Sequence, residues 1–415
     1  MDAQSSPKEA APALAIPRWE FIALAAALMA INALAIDIML PALQQIGATL
    51  GVENENHRQY VITAYIVGFG LLQLIYGPVS DRFGRRGPLL CGLAIYVGAA
   101  IGASFAPSFE TLLVLRLVQG AGAAATRVIA VSFVRDVFGG RAMAEVMSLV
   151  FMVFMVIPVI APGVGQFIIL FAEWHLIFTF MAVVALAITI WTALRLPETL
   201  PQARRRAFTA ASILDGFRIV LSNRLALCYT IATTLVFGGL FGFINSAQQI
   251  FVGIYGLGVW FPVLFACVAG MMALASFVNA KLVGRFGMRR LSHGALIGFL
   301  LVTGMLFLLA LIGPVPLPVF ATLFTIAMLQ FGWIGSNFNS IAMEPLGHVA
   351  GTASSIQGFV QTLGGGILGA AIGQGFDGTV IPFTGGFFAV AIGALILVLI
   401  GERGRLFAVH SQRIG

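Results

Sequence analysis

Gly77-Pro78-Val79-Ser80-Asp81-Arg82-Phe83-Gly84-Arg85-Arg86 is a compact charged stretch set between two long apolar runs, residues 60–76 and 89–105. Each run is long enough to cross most of a bilayer as a helix, which takes about 20 residues. The stretch reads as a membrane-surface turn that closes a hairpin of two spanning helices. Gly77 and Gly84 permit close backbone approach, and Asp81 among three arginines gives the turn both signs of charge for bonding to neighbouring helices.

The phrase returns at Gly284-Arg285-Phe286-Gly287-Met288-Arg289-Arg290, 203 residues on. A second echo, Gln44-Gln45-Ile46 against Gln248-Gln249-Ile250, falls at 204. Two independent matches at nearly one offset point to a duplicated unit and two parallel halves.

Composition identifies the solvent. Hydrophobic residues make up 60% of the 415-residue chain and charged residues 9%, and mean hydropathy is +1.00. Typical soluble domains carry roughly 25% charged residues. The chain reads as an all-α polytopic membrane protein of about twelve spanning helices. Its net charge of +7 is topological. With the N-terminus inside, every Lys and Arg except Arg58, Arg116 and Arg127 falls on the cytoplasmic side, while Glu53, Glu55, Glu110, Glu173 and Asp377 fall outside. No nucleic-acid partner is implied; the partners are the lipid bilayer and what crosses it.

Other function classes lack their residues. Cys91, Cys228 and Cys267 have no paired spacing, and the five histidines are scattered, so no disulfide framework or metal site is expected. Lys8 and Lys281 belong to no phosphate-binding loop, and no zinc-protease or nucleophile-elbow pattern is present. The chain is expected to be no enzyme and to need no cofactor.

In chain order, residues 1–18 form a polar tail and 19–195 a first six-helix bundle. Residues 196–223 form a cytoplasmic linker containing Arg204-Arg205-Arg206 and an interfacial helix around 213–221; a second bundle, 224–402, and a tail, 403–415, follow. The first helix runs to about Leu43 and carries Asp37, the only acid well inside a span. A carboxylate in hydrocarbon costs roughly 2.5–3.5 kcal/mol on insertion scales, so one that persists faces a bundle interior or a wet cavity. It either locks two helices or carries protons.

Arg116 approaches from the opposite surface to a similar depth and can meet Asp37. Arg127, eleven residues beyond, lies close to three turns away on the same face; it either snorkels or pairs helices, or binds a substrate. Helix five contains Pro158, Pro162, Gly163 and Gly165, which suit a bent element that neighbours approach closely. In the second half, no acid occupies the place of Asp37, Gly284 replaces Asp81, and Asn245, Gln248 and Asn337 offer amides to a weakly polar ligand or to neighbouring helices.

These residues carry a family resemblance. Gly77 to Arg86 resembles the loop motif of the major facilitator superfamily, and Arg116 with Gln119-Gly120 resembles the helix-four motif of its proton-coupled exporters. Ala161-Pro162-Gly163-Val164-Gly165 resembles their helix-five antiporter motif. Asp37-Ile38-Met39-Leu40-Pro41, Gln73-Leu74-Ile75-Tyr76-Gly77-Pro78 and Trp174-His175 narrow the resemblance to the Bcr/CflA multidrug efflux branch.

The resemblance implies twelve transmembrane helices in two pseudo-symmetric six-helix bundles that alternate access to a central cavity. It implies a monomer in the bacterial inner membrane, both termini cytoplasmic, exchanging protons for amphiphilic drugs or metabolites. Asp37 and Arg116 would couple protons. Asp81, Arg85 and Asp136 would form a cytoplasmic latch. Departures from the family pattern are Ala161 and Gln166 in place of glycines, and Met29 and Ala30 where some relatives carry a second acid; they favour neutral or anionic substrates. The competing readings are a proton-coupled importer and a non-transporting membrane scaffold.

Overall fold

Long apolar runs punctuated by Gly, Pro and short polar turns leave the backbone no partner but itself in hydrocarbon, and helices satisfy it internally. The structure, a computed structural model of the chain, describes residues 16–138, 140–202, 205 and 217–407. Among these, twelve long helices follow one another without a strand. The first half holds α1 (Arg18–Asp37), α2 (Tyr60–Phe83), α3 (Arg86–Ala103), α4 (Phe109–Val137), α5 (Gly140–Phe171) and α6 (His175–Arg195). The second holds α7 (Arg224–Gln248), α8 (Phe261–Phe286), α9 (Met288–Ile312), α10 (Leu317–Met343), α11 (Ala350–Gln374) and α12 (Ile381–Gly401). Eleven segments are long and apolar enough to cross a membrane, and α5 adds the shorter apolar run Met155–Phe171.

The duplication read from two short echoes extends to packing. Helix pairs α1·α5, α2·α4, α3·α4, α3·α6, α1·α4 and α1·α6 recur as α7·α11, α8·α10, α9·α10, α9·α12, α7·α10 and α7·α12. The two halves meet mainly through α2 against α11 and α5 against α8, a pair that exchanges under the same six-helix shift. Helices α2 and α4 lie close because Gly120 faces the Tyr65 carbonyl and Gly68 the Leu117 carbonyl, with no room for a Cβ at either.

The opening charged stretch is less of a loop than its composition suggests. Residues 77–83 continue α2 with Pro78 inside it, and the chain turns only at Gly84, whose φ of +94° favours glycine. Polar side chains at a helix end tolerate helix where the membrane gives way to water. The interfacial helix expected around 213–221 lies partly outside the described residues; 217–222 are helical. Most of both tails and of the linker's arginine triplet likewise lies outside them. The described ends share one face with the α2–α3 turn, here the turn face; Asp37 lies toward the opposite face.

Candidate functional site

Helix α1 stops at Asp37 because Pro41, four residues on, has no N–H for the Asp37 carbonyl. A short 3₁₀ turn, Leu40–Ala42, and a helical turn, Leu43–Thr49, continue the chain. The Asp37 side chain is 4% exposed. Its Oδ1 is buried without a hydrogen-bond partner. The helix-five motif bears directly on this point: a Cβ at Gly165 would run into the Ile38 carbonyl oxygen, so α5 presses on α1 one residue past Asp37. Pro158 and Pro162 lie inside α5. Gly163 has open space beside it and lines a groove between α5 and α8 with Val159, Phe167, Pro262 and Val263.

The expected meeting of Asp37 and Arg116 does not occur in this structure. Arg116 is fully buried, and its guanidinium donates to Val61 O at 3.1 Å, Ala35 O at 2.9 Å and Gln119 Oε1 at 2.8 Å. It lies over Tyr65, 4.5 Å from the ring centroid. Depth along two helices brings the residues level, but the carbonyls of α1 and α2 capture the donors first. Arg116 thus ties α1, α2 and α4 together two residues from Asp37. A polar group that sequence reading overlooked continues this tie: Asn32 donates to Thr126 Oγ1 at 2.9 Å and accepts from Tyr65 at 3.3 Å. A single polar residue at each of three helical positions was the available signal.

Arg127 has no hydrogen bond or ion pair to the described residues; its guanidinium lies 6.0 Å from the Phe69 ring centroid. The second-half amides are more occupied. Asn337 donates to Asn279 Oδ1 at 2.7 Å and to Trp333 O at 2.8 Å, joining α10 to α8. Asn245 is buried, donates to Phe241 O at 2.9 Å and leaves its Oδ1 unpartnered. Gln248 is buried at the end of α7.

At the turn face, Arg85 bonds Asp81 at 2.6 Å and Asp136 at 2.8 Å, and donates to Ser80 Oγ at 2.8 Å. Burial works against the Arg85 charge, but the bonds to Asp136 and Asp81 outweigh it and raise its pKa above the ordinary arginine value. Gly77 lies beside Val128 and Ser355, where α2, α4 and α11 converge. Glu198, unmarked in sequence reading, accepts from the Arg85 and Arg86 backbone N–H groups at 2.8 and 3.2 Å and so caps α3.

The second half has a matching cluster despite Gly284. Arg289 bonds Glu402 at 2.7 Å and Glu344 at 2.8 Å. Arg289 follows Arg85, and Glu402 follows Glu198, by the same 204 residues as the glutamine echo. That offset was the signal that could have found Glu198 and Glu402; Glu344 has Gly140 at the same offset. Tyr229 bonds Glu402 and His293, and His293 Nδ1 accepts from the Phe407 backbone N–H at 3.0 Å, fastening the segment after α12 to α9.

The opposite face is closed by neutral groups from both halves. Asn56 donates to the carbonyls of Gln374 and Phe376 at 3.0 and 2.8 Å and accepts from Gln249 at 2.6 Å. Gln59 donates to Gly373 O at 3.1 Å and to Gln249.

Comparison with known proteins agrees with this architecture. An uncharacterized MFS-type transporter, YdgK of Bacillus subtilis, is 31% identical over 92% of each chain. A bicyclomycin resistance protein homolog of Haemophilus influenzae is 32% identical over 81% of this chain and 84% of its own. The multidrug resistance protein MdtL of Shigella dysenteriae is 29% identical over 94% and 98%. Among solved structures, the xylose transporter XylE of E. coli, in a partially occluded inward-open conformation, shares the fold with a TM-score of 0.71 at 12% identity, covering 93% of this chain and 97% of its own. The chain is a multi-pass membrane transporter of small molecules and not an enzyme. The family described as Major Facilitator Superfamily matches residues 22–370, and the chain belongs to it.

Proposed function

We propose that this transporter exchanges inward protons for an outward amphiphilic drug or small metabolite across the bacterial inner membrane, by alternating access. The observation that carries the reading is the Asp37 carboxyl group, buried and with an oxygen lacking a partner. An acid retained in a span at such cost is suited to gain and lose a proton as its surroundings change. Its place supports coupling to motion: it sits at the Pro41 break and is pressed by Gly165 of α5. The names of the Haemophilus and Shigella relatives favour efflux over uptake.

In the proposed cycle, the deprotonated carrier binds substrate from the cytoplasm, where the turn face and both termini lie. After the halves 19–195 and 224–402 rock about α2·α11 and α5·α8, protonation of Asp37 from outside favours release. Arg116 acts through the Ala35 carbonyl, so a changed Asp37 charge shifts the α1 backbone against α2 and α4. The Arg85 cluster fixes the turn face of the first half during this movement.

Inverted membrane vesicles test the reading through collapse of an imposed pH gradient by cationic, neutral and anionic amphiphiles. Collapse by at least one compound is expected with the wild-type chain and not with Asp37→Asn. Equal collapse in the variant would remove Asp37 from the mechanism, and gradient-driven uptake in place of export would favour the importer.

A further inference from the structure

Besides Asp37, a charge inside a span of the first half without a hydrogen bond or ion pair to the described residues is that of Arg127. Ala125 of α4 abuts Gly92 of α3, Thr126 bonds Asn32 of α1, and Val128 lies where Gly77 of α2 meets Ser355 of α11. At about 100° per residue, these neighbours leave Arg127 on the side of α4 away from α3, between α1 and α2 and toward the second half. Its face is shared with Arg116, but Arg116 is sealed by two backbone carbonyls and a glutamine, whereas Arg127 is only half-buried.

The guanidinium is not reaching for the membrane surface. Arg127 is ten residues from the turn-face end of α4, about 15 Å at 1.5 Å per residue. Its side chain leans back along α4 to Phe69, which is about 21 Å from the turn-face end of α2. Snorkelling would carry it the other way.

Among the described residues, no acid on the elements packed around it serves as counter-ion: Glu20 of α1 bonds Arg195, and Glu145 of α5 bonds Arg18. Asp37 is at the far end of α1, and Asp81 and Asp136 are taken by Arg85. The neighbouring amides are also engaged, Asn32 with Thr126 and Gln73 with Thr362. An arginine keeps its proton, so this site holds a full positive charge and free donors beside an aromatic face.

We infer that Arg127 is the recognition point for the anionic group of a carboxylate-bearing amphiphile, with Phe69 against the adjoining apolar part. The inference rests on the exporter reading for the direction of transport, not for binding. A planar carboxylate matches the guanidinium fork and supplies the missing countercharge. Apolar walls continue into the second half: Gly70, beside Phe69, packs on Leu363, and within a turn on α11 Gly365 packs on Phe237, which contacts Phe331.

The test is equilibrium binding to the purified full-length protein in detergent, using three probes of one shape: 1-naphthylacetate, 1-naphthylacetamide and 1-naphthylmethylammonium. The anion is expected to bind about tenfold or more tighter than the amide, the gain of a charge-assisted bond, and the cation more weakly still. Arg127→Gln is expected to abolish the preference for the anion while leaving amide binding within about twofold, which also reports that the variant is folded. Arg127→Lys is expected to keep part of the preference.

Failure of the acetate to outbind the amide, or an equal loss of both in Arg127→Gln, overturns the inference. Proton-coupled export of neutral probes alone would leave the exporter reading standing and this one fallen. Anion-selective binding without proton-coupled flux would do the reverse.

Discussion

Arg116 shows what a single buried side chain does here. Its three hydrogen bonds join α1, α2 and α4, and bonds to a charged donor contribute about 1.5–3 kcal/mol each. Replacement by methionine keeps the apolar stem and removes all three. A clear fall in the thermal stability of the solubilised protein is expected for Arg116→Met, larger than for Asp37→Asn, because the Asp37 carboxyl makes no hydrogen bond or ion pair to the described residues. Equal shifts would contradict that division between a structural arginine and an unbonded carboxyl group. Both residues were legible in the sequence as charges at matching depth, since helical rise fixes depth. Their separation was not, because depth says nothing about which backbone carbonyls lie nearer than the opposite charge.

Elements meet where side chains are missing. Gly165 lets α5 touch the Ile38 carbonyl, and an added methyl group forces the helices apart at a cost of about 1–3 kcal/mol. Gly165→Ala is expected to lower export by about tenfold with normal membrane insertion, whereas Gly163→Ala, with open space beside its Cα, is expected to export at close to the wild-type rate. Paired vesicle assays check this, and equal effects would mean that the contact with α1 is irrelevant. The Pro and Gly pattern revealed a helix that neighbours approach, but not which glycine makes the contact, since the two lie on different faces. The charged stretch at 77–86 was likewise read correctly as the end of a hairpin and incorrectly as a loop throughout. Its first seven residues are polar enough for water and still helical, and only Gly84 needs a backbone angle that a helix does not offer.

The whole molecule is two similar units held at both faces by different chemistry. The turn-face clusters are ionic and lie within each half, around Arg85 and Arg289. The opposite face is bridged between halves by Asn56, Gln59, Gln249 and backbone carbonyls. At a net of about 0.5–1.5 kcal/mol per bond, Gln59→Ala removes two bonds and is expected to shift the balance toward a form open at that face by about tenfold. Spin labels at Glu53 and Val259, in a chain without Cys91, Cys228 and Cys267, are expected to show a longer-distance population in the variant; an unchanged distribution would mean that the bridge does not gate. The repeat offset made Arg289 and Glu402 readable in retrospect, whereas the bridge joins Gln249, which the glutamine echo marks, to Asn56 and Gln59, which have no like residue at that offset. The central claim is that Asp37 couples protons to movement without being needed for movement itself. In proteoliposomes, substrate counterflow at equal pH and accumulation driven by a pH gradient separate the two. Asp37→Asn is expected to retain counterflow and lose gradient-driven accumulation. Accumulation at the wild-type level in that variant would contradict the account.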